Sequence, residues 1–144
     1  MTTPTVSHYF TRAIGFCDGA ARGNPGPAGA GIVLYDADNA QQVIKKSLFL
    51  GHTTNNVAEY RALIMLLEEA VARHTQSLTV KSDSELMVKQ INGLYRVKAT
   101  HLLPLYQQVS MLKKHFSHIE FLHIRREFNK EADLMSNIAI DDQV

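Results

Sequence analysis

A chain of 144 residues, 45% hydrophobic and 20% charged, can bury one core; it is too short for several domains and too apolar for a disordered segment. Its formal net charge of +1 excludes a polycation that holds nucleic acid by its overall field, so any such binding must rest on local clusters. A single cysteine, Cys17, excludes internal disulfides and a cysteine-rich zinc module.

Residues 1–12 read as a polar, loosely held arm before a domain at 13–144. The first residues, Met1-Thr2-Thr3-Pro4-Thr5-Val6-Ser7-His8, lack the basic and apolar regions of a signal peptide, and no apolar run reaches transmembrane length. The expectation is a cytoplasmic protein with no membrane contact.

An apolar strand is expected at 14–17, ending at Asp18-Gly19, with Cys17 inside it as a reduced, buried thiol. Arg22-Gly23-Asn24-Pro25-Gly26-Pro27 is dense in turn residues and reads as a loop. A second strand follows at 29–35, a turn at 36–39, and a third strand at 43–50 whose residues alternate between two faces. Such closely spaced turns predict an antiparallel meander.

The period then becomes helical. Tyr60, Leu63, Leu67, Ala70 and Val71 share a face of a helix over 56–73. A strand at 78–82 leads into a helix over 84–91, stopped by Asn92-Gly93. Leu102, Leu105, Val109, Leu112 and Phe116 form the apolar stripe of a helix over 102–116. A last strand at 119–124 and a last helix at 129–140 complete an α/β order of β-β-β-α-β-α-α-β-α. Helical crossovers allow the later strands to run parallel to the first.

That order puts Asp18 and Asp83 at the carboxyl ends of strands, where open α/β sheets place their sites. Glu59 and Asp133 fall in the first turns of helices that could cover the same edge. Four clustered carboxylates repel one another unless they take up protons or cations, and hard divalent ions take such oxygen ligands. Each acid also has a plainer role. Glu59 could complete a capping box with Asn56, and Asp83 could meet a helix dipole while Glu85 caps. Asp133 could be an exposed early-helix acid, and Asp18 the start of an Asp-Gly turn. Convergence of all four at one sheet edge favours a metal site.

Five segments carry a resemblance. They are Phe16-Cys17-Asp18-Gly19-Ala20 with Gly23-Asn24-Pro25-Gly26-Pro27-Ala28-Gly29, then Thr53-Thr54-Asn55-Asn56-Val57-Ala58-Glu59-Tyr60, Ser82-Asp83-Ser84, and Asn129-Lys130-Glu131-Ala132-Asp133. In that order, over 14 to 140, the chain resembles type 1 ribonuclease H in a compact form without a hybrid-binding domain or basic protrusion. The resemblance implies a ribonuclease H-like fold, a five-stranded mixed sheet flanked by helices. It also implies endonucleolytic hydrolysis of the RNA strand of an RNA–DNA hybrid, leaving 5′-phosphate and 3′-hydroxyl ends. Its quartet falls on Asp18, Glu59, Asp83 and Asp133, holding two Mg²⁺ ions, with Mn²⁺ as a possible substitute. Asp18 is the expected bridge between the ions, Asp83 the ligand on the water side and Glu59 on the leaving-group side. Asn24, Asn55 and Asn56 match positions that contact the hybrid, although Asn55 and Asn56 also suit helix capping.

Two departures stand out. The segment before Asp133, Ile124-Arg125-Arg126-Glu127-Phe128-Asn129, lacks the loop histidine many relatives carry, and His123 falls inside a strand. Arg126 is the candidate for an auxiliary role on phosphate, against a surface ion pair with Glu127 or Glu131. The basic extension of some relatives is missing between Asn92 and Leu102, and Glu85 replaces a common glutamine. Lys89, Arg96 and Lys98, aided by Tyr95, could contact the DNA backbone, against the plainer reading of solvated surface charge. A non-catalytic nucleic-acid-binding module of the same fold and a related metal-dependent nuclease stay open as alternatives. A metal-free, histidine-based ribonuclease is a further option, although His115 and His118 read as surface residues at a helix end. No element shows a self-association stripe, so a monomer without an obligatory protein partner is expected.

Overall fold

Backbone pairing carries the first three strands well beyond their apolar centres. In the computed structural model, which describes residues 9–144, β1 spans Arg12–Ala21, β2 Gly26–Asp36 and β3 Asn39–Thr53. They form the expected antiparallel meander. Ladder hydrogen bonds do not require apolar side chains, so polar strand ends escape a hydrophobicity-based reading.

The remaining elements are α1 (Asn55–Ala72), β4 (Ser77–Ser82), α2 (Glu85–Ile91), α3 (Leu103–Lys113), β5 (His118–His123) and α4 (Lys130–Asp142). The five strands stand in the order β3-β2-β1-β4-β5, with β4 parallel to both β1 and β5. This is the mixed α/β sheet the element order predicts.

Helix α1 lies on one face of the sheet against β1 and β2, with α3 packed against it, and α4 lies against β2, β3 and β1. The main core fills the space under α1. Leu63, Leu66 and Leu67 meet Ile32 and Leu34 of β2, Leu78 and Val80 of β4, and Val109 of α3. Full burial of side chains this size contributes about 1.5–3 kcal/mol each, enough to fix the helix on the sheet.

Two expectations need correction. The inner end of the expected arm is not loose: Phe10 is 2% exposed, its N–H donates to the Arg73 carbonyl at 3.0 Å, and β1 has begun by Arg12. The rest of that arm, residues 1–8, lies outside the described residues. The helix expected over 102–116 is shorter, because Pro104 belongs to its first turn and a 3₁₀ turn, Thr100–Leu102, precedes it. Phe116 falls past its end but is still buried. No helix among the described residues is long and apolar enough to cross a membrane.

Candidate active site

Strand register places the first two acids. The parallel pairing of β1 and β4 ends at Cys17 opposite Ser82, so Asp18 and Asp83 are the next residues on neighbouring strands. Asp18 is not the end of its own strand: β1 runs on to Ala21, with Asp18 opposite Gly31 of β2. It lies at the carboxyl end of the parallel pairing alone.

Glu59 arrives on α1. Thr54 caps that helix, its Oγ1 accepting from the Val57 N–H at 3.3 Å, so the capping expected of Asn55, Asn56 and Glu59 falls to a neighbour. Glu59 turns to the sheet instead, where its Oε1 accepts the Gly19 N–H at 2.8 Å. A β-carbon at residue 19 would run into the Ala58 carbonyl and the Glu59 nitrogen, so only glycine lets α1 come this close.

Asp133 arrives on α4 by the same device on the other side of β2. A β-carbon at Gly31 would meet the Ala132 carbonyl and the Ser136 nitrogen. Asn129, 1% exposed, donates from Nδ2 to the Cys17 carbonyl at 3.0 Å and accepts the Asp133 N–H on its own carbonyl at 3.0 Å. Ser136 Oγ lies 3.2 Å from Asp18 Oδ2 as its donor.

Carboxylate oxygens of Asp18, Glu59 and Asp83 lie within 4.8 Å of one another. Asp133 stands outside this trio, near enough to Asp18 to act on its carboxyl. Burial foremost, then the charges of Glu59 and Asp83 and the neighbouring Asp133, together push the Asp18 carboxyl up to about 9. Burial likewise raises Glu59 to about 8, against the pull of the Gly19 N–H and of the Arg126 charge, with Asp83 and Asp133 adding to the rise. Burial foremost, and then Glu59, holds the Cys17 thiol well above its ordinary range; fully buried, it is no nucleophile. Without a cation the cluster therefore holds protons near neutrality.

The donor set suits a hard divalent ion: it consists of carboxylate oxygens, with no histidine or thiolate among them. Two of the oxygens sit in surroundings that favour a neutralising charge.

Asn24, Asn55 and Asn56 are exposed at the rim. Asn24 Oδ1 accepts the Asn55 N–H at 2.9 Å, and Asn55 Oδ1 accepts the Ala21 N–H at 3.3 Å, which locks the β1–β2 loop to the start of α1. Both amide oxygens are thereby used inward, leaving the nitrogens as outward donors. Arg126 occupies a 3₁₀ turn, Arg126–Phe128, and its charge reaches Glu59. The ion pairs that would have explained it away belong to others: Arg125 pairs with Glu127 at 3.5 Å, and Lys45 with Glu131 at 2.7 Å.

Glu85 does not cap α2. Ser84 does, accepting from the Met87 N–H at 3.3 Å, while Glu85 pairs with Lys89 at 2.8 Å. Lys89 also lies 5.0 Å over the Tyr95 ring, so it is committed within the protein. Arg96 and Lys98 instead line a groove of about 470 Å³ that Asn56, Leu86 and Tyr95 share. His123 ends β5 in solvent, and His118 begins that strand rather than ending a helix.

Sequence reasoning missed the supports of the quartet: Gly19, Gly31, Ser136 and the tether made by Asn129. Alternating small residues at Gly29, Ala30 and Gly31 were a legible sign of a close-packed element, and Asn129 already stood in the segment leading to Asp133.

A family model described as reverse transcriptase-like matches residues 16–139. Bifunctional protein Rv2228c of Mycobacterium tuberculosis is 42% identical over 124 residues, 86% of this chain and 34% of that protein. The chain thus spans about a third of the length of the curated mycobacterial relatives it matches. A protein named Ribonuclease HI from Halobacterium salinarum is 36% identical over 131 residues, 91% of this chain and 65% of the relative. Among solved structures, LC11-RNase H1 in complex with an RNA/DNA hybrid superposes with a TM-score of 0.84 at 39% identity, covering 91% of this chain and 98% of that one.

Proposed function

This chain belongs to the reverse transcriptase-like family as a type 1 ribonuclease H domain, and on that premise we propose that it cleaves the RNA strand of RNA–DNA hybrids internally. The observation that carries the proposal is the trio of buried Asp18, buried Glu59 and half-buried Asp83, with oxygens within 4.8 Å of one another and Asp133 alongside. Such an arrangement repels itself unless it takes up protons or cations, and bound divalent ions would neutralise it at working pH.

Asp18, Glu59, Asp83 and Asp133 would hold two Mg²⁺ ions, for which Mn²⁺ could substitute, with Asp18 central because it neighbours all the others. Bound Mg²⁺ would neutralise charge on the scissile phosphate and lower the pKa of the attacking water. The Gly19 N–H holds the Glu59 carboxylate in place. The exposed amides of Asn24, Asn55 and Asn56 would donate into the minor groove, where a 2′-hydroxyl distinguishes RNA from DNA. Arg126 would bear on phosphate as a fixed cation, since a guanidinium cannot shuttle protons near neutral pH. Water attack at phosphorus with rupture of the P–O3′ bond leaves 5′-phosphate and 3′-hydroxyl ends.

The test is cleavage of end-labelled RNA–DNA hybrid with Mg²⁺, beside matched duplex DNA and duplex RNA. Metal-dependent cutting of the hybrid RNA alone is expected. Cutting that survives exhaustive EDTA treatment overturns the metal assignment, and tight hybrid binding without cleavage makes the chain a binding module.

A further inference from the structure

The loop joining β1 to β2 is held from two sides. Asn24 ties it to the start of α1 through the Asn55 N–H. Arg22 ties it to α4, pairing with Asp141 and donating from Nη2 to Asn137 Oδ1 at 3.0 Å. Asn137 then donates from Nδ2 to the Asp133 carboxylate at 3.3 Å and to the Asp133 carbonyl at 2.9 Å. One amide thus joins a loop cation to the fourth carboxylate.

The chemistry of the three groups fixes the direction of this chain of bonds. Arginine offers only donors and an ionised aspartate only acceptors, so the Asn137 oxygen must face Arg22 and its nitrogen must face Asp133. A bond to the carbonyl four residues back is ordinary for a helical asparagine and by itself means little. The second contact, to the Asp133 side chain, and the anchoring of Asn137 by Arg22 are not required by helix geometry. Asp133 stands at the side of the other three carboxylates, and Asn137 restrains the orientation of its side chain.

We propose that Asn137 is a positioning residue for Asp133, itself held by Arg22 of the β1–β2 loop. This rests on the ribonuclease reading above.

The experiment compares wild type, Asn137→Ala, the near-isosteric Asn137→Leu, and Arg22→Ala. Hybrid cleavage gives kcat and KM, calorimetric titration with Mn²⁺ of the free protein gives metal affinity, and thermal melts report folding. Loss of a hydrogen bond to a charged group predicts a fall in kcat on the order of tenfold for both Asn137 variants, with KM for hybrid unchanged. Mn²⁺ affinity falls severalfold in parallel, and Arg22→Ala shifts kcat and affinity the same way by less. Unchanged kcat in Asn137→Leu, or a lowered kcat with unmoved Mn²⁺ affinity, overturns the proposal. Should wild type bind hybrid without cutting it, the activity reading fails instead, and the Mn²⁺ titration still decides whether Asn137 positions Asp133.

Discussion

Asp83 separates chemistry from binding more cleanly than any other member of the quartet. It is only half-buried, and it ends no backbone tether of the kind that Glu59 makes with Gly19. Asp83→Asn keeps the side chain's shape while removing one ligand charge and one accepting oxygen, so hybrid cleavage should drop about a thousandfold, roughly the loss on removing a group central to transition-state stabilisation. Hybrid affinity, read by gel shift or anisotropy in Ca²⁺, should stay within about threefold because the rim asparagines are untouched. Turnover near wild type in this variant removes Asp83 from the site. Reading the sequence alone singled out all four acids as candidates, because each lies in a short segment with its own turn or cap signal; the structure gathers Asp18, Glu59 and Asp83 into one group. The plainer capping roles fall elsewhere: Thr54, rather than Asn56 with Glu59, caps α1, and Ser84, rather than Glu85, caps α2.

At the scale of elements, the site exists because two helices come unusually close to the sheet. Gly19 admits α1 and Gly31 admits α4, and neither contact has room for a methyl group. Gly31→Ala should therefore destabilise the fold by about 1–3 kcal/mol, the range for forcing extra volume into packed structure. Urea unfolding measures that loss. Because α4 carries Asp133, hybrid cleavage by the remaining folded protein should fall as well. A Gly31→Ala protein with full stability and full activity would show that α4 does not depend on this close approach. Helix boundaries were legible to within a few residues, since periodicity and caps are local. The lengths of β1, β2 and β3 were not, since pairing with a neighbour extends β1, for one, through Asp18 to Ala21 regardless of side-chain hydrophobicity.

For the whole molecule, the buried carboxyls link stability to pH and to metal. Asp18 and Glu59 sit at about 9 and 8, raised from unfolded values of about 4. Folding thus takes up protons at these groups. Their contribution is fully present below about pH 4 and is lost as pH rises toward 8 and 9. Glu85, Glu131 and Asp141 are lowered by their partners, Lys89, Lys45 and Arg22, and so act in the opposite sense. They are exposed and screened, so the buried pair should dominate. Melting temperatures in EDTA should therefore fall across the upper part of this range, and the stabilisation by Mg²⁺ should grow with pH. A gap between Mg²⁺ and EDTA melts that stays constant or narrows from pH 6 to 9 counts against a cation site at these residues.

The sequence by itself determined the element order, the α/β class and the family resemblance, and it singled out four acids as candidates. Hydrophobic period, turn residues and short motifs are all local properties of the chain. Only the tertiary structure decided that Asp18, Glu59 and Asp83 share one small volume, that Asp133 stands beside them, and that Asn129, Ser136 and Asn137 hold that arrangement. Those facts depend on strand register and on how closely helices approach a sheet. Both are set by contacts between residues as far as 118 positions apart, as in the Ser136–Asp18 bond, and no local pattern encodes such a distance.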